Sequence, residues 1–193
     1  MNTPLFDMKS AAGALNAVVA GVRDDQLELP TPSPEWTVAM LLAHIVGFTE
    51  AFRDAATKAG IGNSQPPSDA DLVLEDGWRE RIALQLEALV AAWREPEAWE
   101  GETEVGGVRG PATQMAVFAL DEVVIHGWDL ASATSQTYQP GDEDLAVLWE
   151  MLRHTPDAGT PGLFGPAVPT GAHSSLLDRV LGRTGRDPLW TAG

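Results

Sequence analysis

His44 lies in one strongly apolar segment, and Glu122 and His126 lie together far downstream in another. Imidazole nitrogens and a carboxylate oxygen are donors that divalent transition metals accept, so the three residues are candidate metal ligands. The Glu-x-x-x-His spacing sets Glu122 and His126 about one turn apart on one helix face, within reach of a shared ion. With His44 brought by a second helix, three protein ligands would leave at least one coordination position open, which suits a catalytic metal better than a structural one. The same residues admit plainer roles, His44 as a hydrogen-bonded core histidine and Glu122/His126 as an electrostatic pair on a helix. Separation in sequence does not by itself bring His44 to the second motif.

Composition narrows the class of chemistry. The chain has 193 residues and no cysteine, so thiolate ligands, thiolate nucleophiles and disulfides are excluded, and any thiol must arrive as a co-substrate. With 28 acidic against 12 basic residues and a net charge of -16, the protein lacks the cationic face that a phosphate backbone or an anionic membrane requires, so no nucleic-acid or membrane partner is expected. The N-terminal residues Met1–Asp7 carry neither a basic segment nor an apolar one of the secretory type, no apolar run approaches a membrane span, and a cytoplasmic location is the default expectation. Hydrophobic residues at 44% and charged residues at 21% are ordinary for a globular domain, and the length predicts one domain over residues 1–193.

The elements that must position the three candidates read as helices. Apolar residues at three- and four-residue steps predict a helix from Pro4 to about Gln26. Pro30, Pro32 and Pro34 impose an extended segment, Thr37 is a candidate N-cap, and a second helix runs from Val38 to about Lys58 with Leu41, His44 and Phe48 on one stripe. A third helix is expected to start near Ser68 or a little later and to extend to Arg94. Residues 95–110 read as a glycine-rich loop with a short extended turn at Thr103–Val105, without strand-like alternation longer than a few residues. Pro111 opens a fourth helix reaching about Thr134, along which Met115, Ala119, Glu122, His126 and Asp129 form one inward stripe. Shorter helices are expected at about Asp142–His154 and Ser174–Leu181. The fold class is therefore all-α, a four-helix bundle with extra short C-terminal helices, a type of core in which inward side chains build metal sites. Such a bundle can form a homodimer, although no residue stripe left over from the core marks an interface.

Two segments carry a family resemblance. Pro34-Glu35-Trp36-Thr37-Val38 with Leu41-Leu42-Ala43-His44-Ile45-Val46-Gly47, and Glu122-Val123-Val124-Ile125-His126-Gly127-Trp128-Asp129-Leu130-Ala131, resemble the helix motifs of the mycothiol-dependent maleylpyruvate isomerase N-terminal family of the DinB/YfiT-like superfamily. The tail, with Phe164-Gly165-Pro166-Ala167-Val168-Pro169 and Gly185-Arg186-Asp187-Pro188-Leu189-Trp190, is similar to a single-domain metal-binding subfamily of that group. The resemblance implies a DinB-like bundle holding a divalent metal at His44, Glu122 and His126, with zinc the first choice and nickel an alternative. It also implies mycothiol or a similar thiol as co-substrate and an electrophilic small molecule as substrate. The isomerase has an additional C-terminal domain contributing to thiol and substrate binding, and this chain is expected to be too short for one. Relatives often carry cysteine before the Pro-x-Trp-Thr motif, where this chain has Ser33.

The expected activity is thus a metal- and thiol-dependent transferase or isomerase. The alternatives are a noncatalytic metal-binding or stress-related module and a bundle whose site has decayed. Asp129, one turn after His126, is a candidate outer partner of the site; Trp36 and Trp128 are candidate pocket walls with core packing as the plainer role; Arg109 is a candidate for binding a substrate carboxylate. His154 and His173 have no partner at ligand spacing. The Gly-x-Ser-x-Gly elbow of serine hydrolases is absent.

Overall fold

Each of the four long helices packs against two others, so that the ring order is α1, α3, α2, α4. They are α1 (Lys9–Gly21), α2 (Val38–Ala56), α3 (Trp78–Arg94) and α4 (Ala112–Ala133). The structure is a computed structural model that describes residues 4–34, 36–66, 68 and 72–192. α4 is the most enclosed helix, with buried residues all round its second half, because it packs on α1 and α2 on one side and on α5 (Asp142–Leu152) on the other. α5 in turn packs on α6 (Leu176–Arg183). The architecture is the all-α bundle with short C-terminal helices expected from the periodicity. No helix among the described residues is long and apolar enough to cross a membrane.

The first helix is shorter than its apolar stripe suggested. It starts at Lys9, where the Asp7 carboxylate accepts from the Lys9 amide at 2.9 Å. It stops at Gly21, beyond which Val22 is extended and a 3-10 turn spans Asp24–Gln26. Gln26 folds back to accept from the Arg23 amide and donates from Nε2 to the Thr134 carbonyl at 3.2 Å, so it ties this turn to the end of α4 instead of prolonging α1. The third helix likewise starts later than expected, at Trp78, after Gly77 in the left-handed region (φ 77°) breaks the chain direction. The part of the expected helix at residues 69–71 lies outside the described residues.

Residues 95–110 hold more order than a loop. A 3-10 turn at Pro96–Trp99 leads into an antiparallel hairpin, β1 (Glu102–Val105) with β2 (Val108–Pro111), in the register Thr103↔Gly110 and Val105↔Val108. The two-residue link Gly106–Gly107 has φ of 58° and 75°, the sign that a tight hairpin turn requires. Thr103 donates to the Ala55 carbonyl at 2.7 Å and anchors the hairpin to the C-terminal end of α2. The sequence-based expectation of one short extended turn therefore missed the second strand.

Candidate metal centre

His44 reaches the bundle interior from the middle of α2, a helix capped where expected: the Thr37 hydroxyl accepts from the Met40 amide at 3.3 Å. Before it, the proline segment closes on itself. Thr31 N–H donates to the Trp36 carbonyl and Val38 N–H to the Leu29 carbonyl, while the Thr31 hydroxyl both accepts from Ser33 N–H and donates to backbone carbonyls. This tight loop sets Ser33 and Trp36 beside α4. Glu122 and His126 face α2 from one side of α4, as their four-residue spacing requires.

The three candidate ligands meet. His44 Nε2 and His126 Nε2 lie 3.0 and 3.2 Å from the same oxygen, Glu122 Oε2. One donor atom from each residue falls within 4.8 Å of the others. Zinc bonds of about 2.0–2.2 Å in tetrahedral geometry would put neighbouring donors roughly 3.3–3.5 Å apart, so the two carboxylate–imidazole separations already lie within a few tenths of an ångström of that spacing, and the third donor pair stays within 4.8 Å. Among the described residues no fourth histidine, aspartate or glutamate joins the group. The side chains of His44, Glu122 and His126 retain 14%, 30% and 10% exposure, so the carboxylate side of the cluster opens towards solvent.

The donor chemistry also fits a cation. Both ring nitrogens of His126 face carboxylate oxygens, Nε2 towards Glu122 and Nδ1 towards Asp129 Oδ2 at 3.0 Å. Ionised carboxylates only accept, so without a metal both nitrogens must carry protons. Burial opposes that charge, but hydrogen bonds to Asp129 and Glu122 outweigh it and raise the His126 pKa to about 9. Glu122 is pushed up by burial and more than compensated by the two histidines, which hold it well below the usual carboxylate range. A divalent ion in place of the Nε2 proton would leave Nδ1–H donating to Asp129, an arrangement that fixes the tautomer and the ring plane of a metal-ligating histidine.

Asp129 itself is fully buried and held from three directions. Besides His126, the Ser33 hydroxyl donates to Oδ2 at 3.1 Å and Arg186 approaches with Nη2 at 3.1 Å. Burial would raise the Asp129 pKa, yet the Arg186 charge and the His126 hydrogen bond keep it lowered. The candidate outer partner is thus where its spacing suggested. Ser33 takes a definite part through its hydroxyl, and Arg186 supplies a counter-charge that the sequence reading had not assigned. Asp121, next to Glu122, is buried with Oδ1 unpartnered among the described residues, and burial together with the Glu122 charge pushes its pKa up to about 7.

Aromatic rings wall the cluster. Trp36 lies 4.8 Å from the His44 ring and 6.0 Å from that of His126, and Phe48 lies 5.6 and 6.2 Å from the same two rings. Trp36 therefore stands at the site, whereas Trp128 packs in the hydrophobic core. Arg109 is not brought to the cluster: it sits on the exposed hairpin, paired with Glu102 at 3.1 Å. His154 and His173 are exposed and apart from the group.

Comparison with known proteins bears on the family and the fold. Residues 8–131 match the family model described as the mycothiol maleylpyruvate isomerase N-terminal domain. Two uncharacterized proteins of Mycobacterium tuberculosis, from strains CDC 1551 and H37Rv, are each 32% identical over 169 residues, covering 86% of this chain and 85% of their own. The crystal structure of the mycothiol-dependent maleylpyruvate isomerase superposes with a TM-score of 0.66 at 21% identity, over 92% of this chain and 86% of that one. A histidine-to-alanine mutant of that enzyme superposes with the same score at 20% identity. The superposition thus spans most of both chains.

Proposed function

The chain belongs to the mycothiol maleylpyruvate isomerase N-terminal domain family, and from that premise we propose that it is a metal- and thiol-dependent enzyme acting on an electrophilic small molecule, by transfer or isomerisation. The observation that carries this reading is the meeting of His44, Glu122 and His126 on one side of a walled, partly open cluster in a chain without cysteine. Two imidazoles and one carboxylate suit zinc, with nickel as an alternative. When bound, such an ion supplies the Lewis acidity that lets a low-molecular-weight thiol, mycothiol or a similar one, ionise at neutral pH.

The chain's own residues do the rest. Asp129 accepts a hydrogen bond from His126 Nδ1–H, Ser33 and Arg186 hold Asp129, and the His126 imidazole is thereby kept in a fixed orientation before any substrate arrives. Trp36 and Phe48 exclude water from the flank of the cluster and offer ring faces to an unsaturated substrate. In transfer, the thiolate forms a sulfur–carbon bond at the electrophilic carbon while that carbon's leaving group departs with its bonding electron pair, and the thiol proton passes to solvent. In isomerisation, the thiolate adds to a carbon–carbon double bond conjugated to a carbonyl, the π pair moves to the carbonyl oxygen as an enolate, rotation follows about the bond that has become single, and return of the pair re-forms the double bond and expels the thiolate.

The test is a turnover screen on metal-loaded protein with mycothiol and a panel of electrophiles that includes maleylpyruvate. Turnover that needs both metal and thiol, and is lost in His44→Ala, supports the proposal. Absence of turnover with every thiol and electrophile, on protein shown to be loaded, would leave a noncatalytic metal-binding module.

A further inference from the structure

Away from the metal centre, a groove of about 330 Å³ runs between α5, α6 and the 157–170 segment, with Trp149, Val168, Pro169, Arg179 and Arg183 in its lining. We propose that this groove binds a small monoanionic carboxylate with an apolar body, anchored by Arg179.

Charge bookkeeping across the molecule singles out that residue. The chain is strongly acidic, and every other arginine forms an ion pair with a carboxylate. Arg179 forms none among the described residues. Its guanidinium instead lies 4.0 Å over the Trp149 ring, where stacking restrains the group without using its N–H donors. A restrained, planar fork with free donors matches the two oxygens of a carboxylate and loses little freedom on binding.

Its neighbour Arg183 is committed to structure. It donates to the Leu152 and Thr155 carbonyls, closing the end of α5, and pairs with Asp157 at 2.5 Å. Arg183 and Asp157 therefore cancel locally, and Arg179 leaves the groove with one net positive charge. That balance favours a monoanion, since a phosphate dianion would be set beside the Asp157 carboxylate. The opposite wall is apolar and fixed: Val168 N–H donates to the Gly182 carbonyl at 2.8 Å, and a Cβ at Gly182 would stand 2.6 Å from the Val168 oxygen, so only glycine allows that approach. A ring or short hydrocarbon on the ligand would rest against Val168 and Pro169. The volume falls in the range of small-molecule sites.

The experiment is calorimetric titration of the full chain with benzoate, beside benzamide as the neutral isostere and inorganic phosphate as the dianion. The Trp149 indole N–H is followed by NMR to place the binding. Benzoate is expected to saturate in the millimolar range and shift the Trp149 resonance, with benzamide silent and phosphate weaker. Arg179→Gln, at an exposed helical position, should melt like the parent yet bind benzoate about tenfold or more weakly, and Arg179→Lys should recover part of the loss. Binding that is unchanged in Arg179→Gln, equal for benzamide, tighter for phosphate, or absent in the parent would overturn the proposal.

Discussion

Replacing Asp129 by asparagine separates the orienting role of this carboxylate from its structural one. The substitution keeps the shape and lets the amide oxygen occupy the Oδ2 position, where Ser33, His126 and Arg186 Nη2 converge. It removes the charge and turns an N–H₂ towards Arg186 Nε, which now lies 3.4 Å from Oδ1. Arg186 keeps 17% side-chain exposure, so its lost partner is partly replaced by water. A broken buried pair costs about 3–5 kcal/mol, and this relief places the loss at roughly 2–4 kcal/mol. At about 2–4 °C per kcal/mol for a chain of this size, the metal-free variant should melt roughly 5–15 °C below the parent. Loss of the carboxylate behind His126 should also weaken zinc by about 10–100-fold. The assay is a thermal melt of metal-free protein together with competition against a chromogenic zinc chelator. Parental zinc affinity in a variant that is destabilised as described would refute the orienting role and leave Asp129 a structural anchor.

Ser33→Ala removes one hydrogen bond to the same carboxylate and should cost about 1–3 kcal/mol, read from the same melts. Gly127→Ala would set a Cβ 2.5 Å from the Tyr138 hydroxyl, so it should destabilise by about 1–3 kcal/mol through a displaced ring, measured by chemical denaturation. Metal-free protein should lose stability as pH rises. His126 is raised to about 9 from 6.5, so its contribution is complete below about 6.5 and gone above about 9; Asp121, raised to about 7 from 3.8, falls away in the same direction between those values. Zinc affinity should run the opposite way, strengthening towards pH 9 as the His126 proton is displaced, which titrations in buffers of different ionisation enthalpy will register as proton release. Arg109→Ala should leave zinc binding and turnover unchanged, because its partner is Glu102 on the exposed hairpin.

Where a residue's role depends on helical spacing, the sequence carried it. Glu122, His126 and Asp129 share a face because of their separations on one helix, and the Thr37 cap and the Leu41–His44–Phe48 stripe turn His44 inward. What spacing could not convey was contact between distant segments. Arg186 reaches Asp129 from a tail whose motif was recognisable but whose position depends on α6 packing against α5. A buried aspartate needs a counter-charge, which was a signal that some cation must come to Asp129, though not which one. The hairpin escaped because its strands are four residues long and only Thr103 and Gly110 are buried, with Glu104 and Val105 half-buried, which leaves no alternation to register; the Gly106–Gly107 pair was the available sign. The late start of α3 reflects Gly77, whose left-handed backbone breaks the chain despite compatible residues upstream.

Elemental analysis of untagged protein, run beside His44→Ala and His126→Ala, tests the central claim most directly. The donor geometry predicts about one equivalent of a divalent metal in the parent, zinc first and nickel second, and its loss in both variants while they remain folded. A folded parent that carries no metal and takes up neither zinc nor nickel would contradict the account, leaving His44, Glu122 and His126 as a hydrogen-bonded cluster inside the bundle.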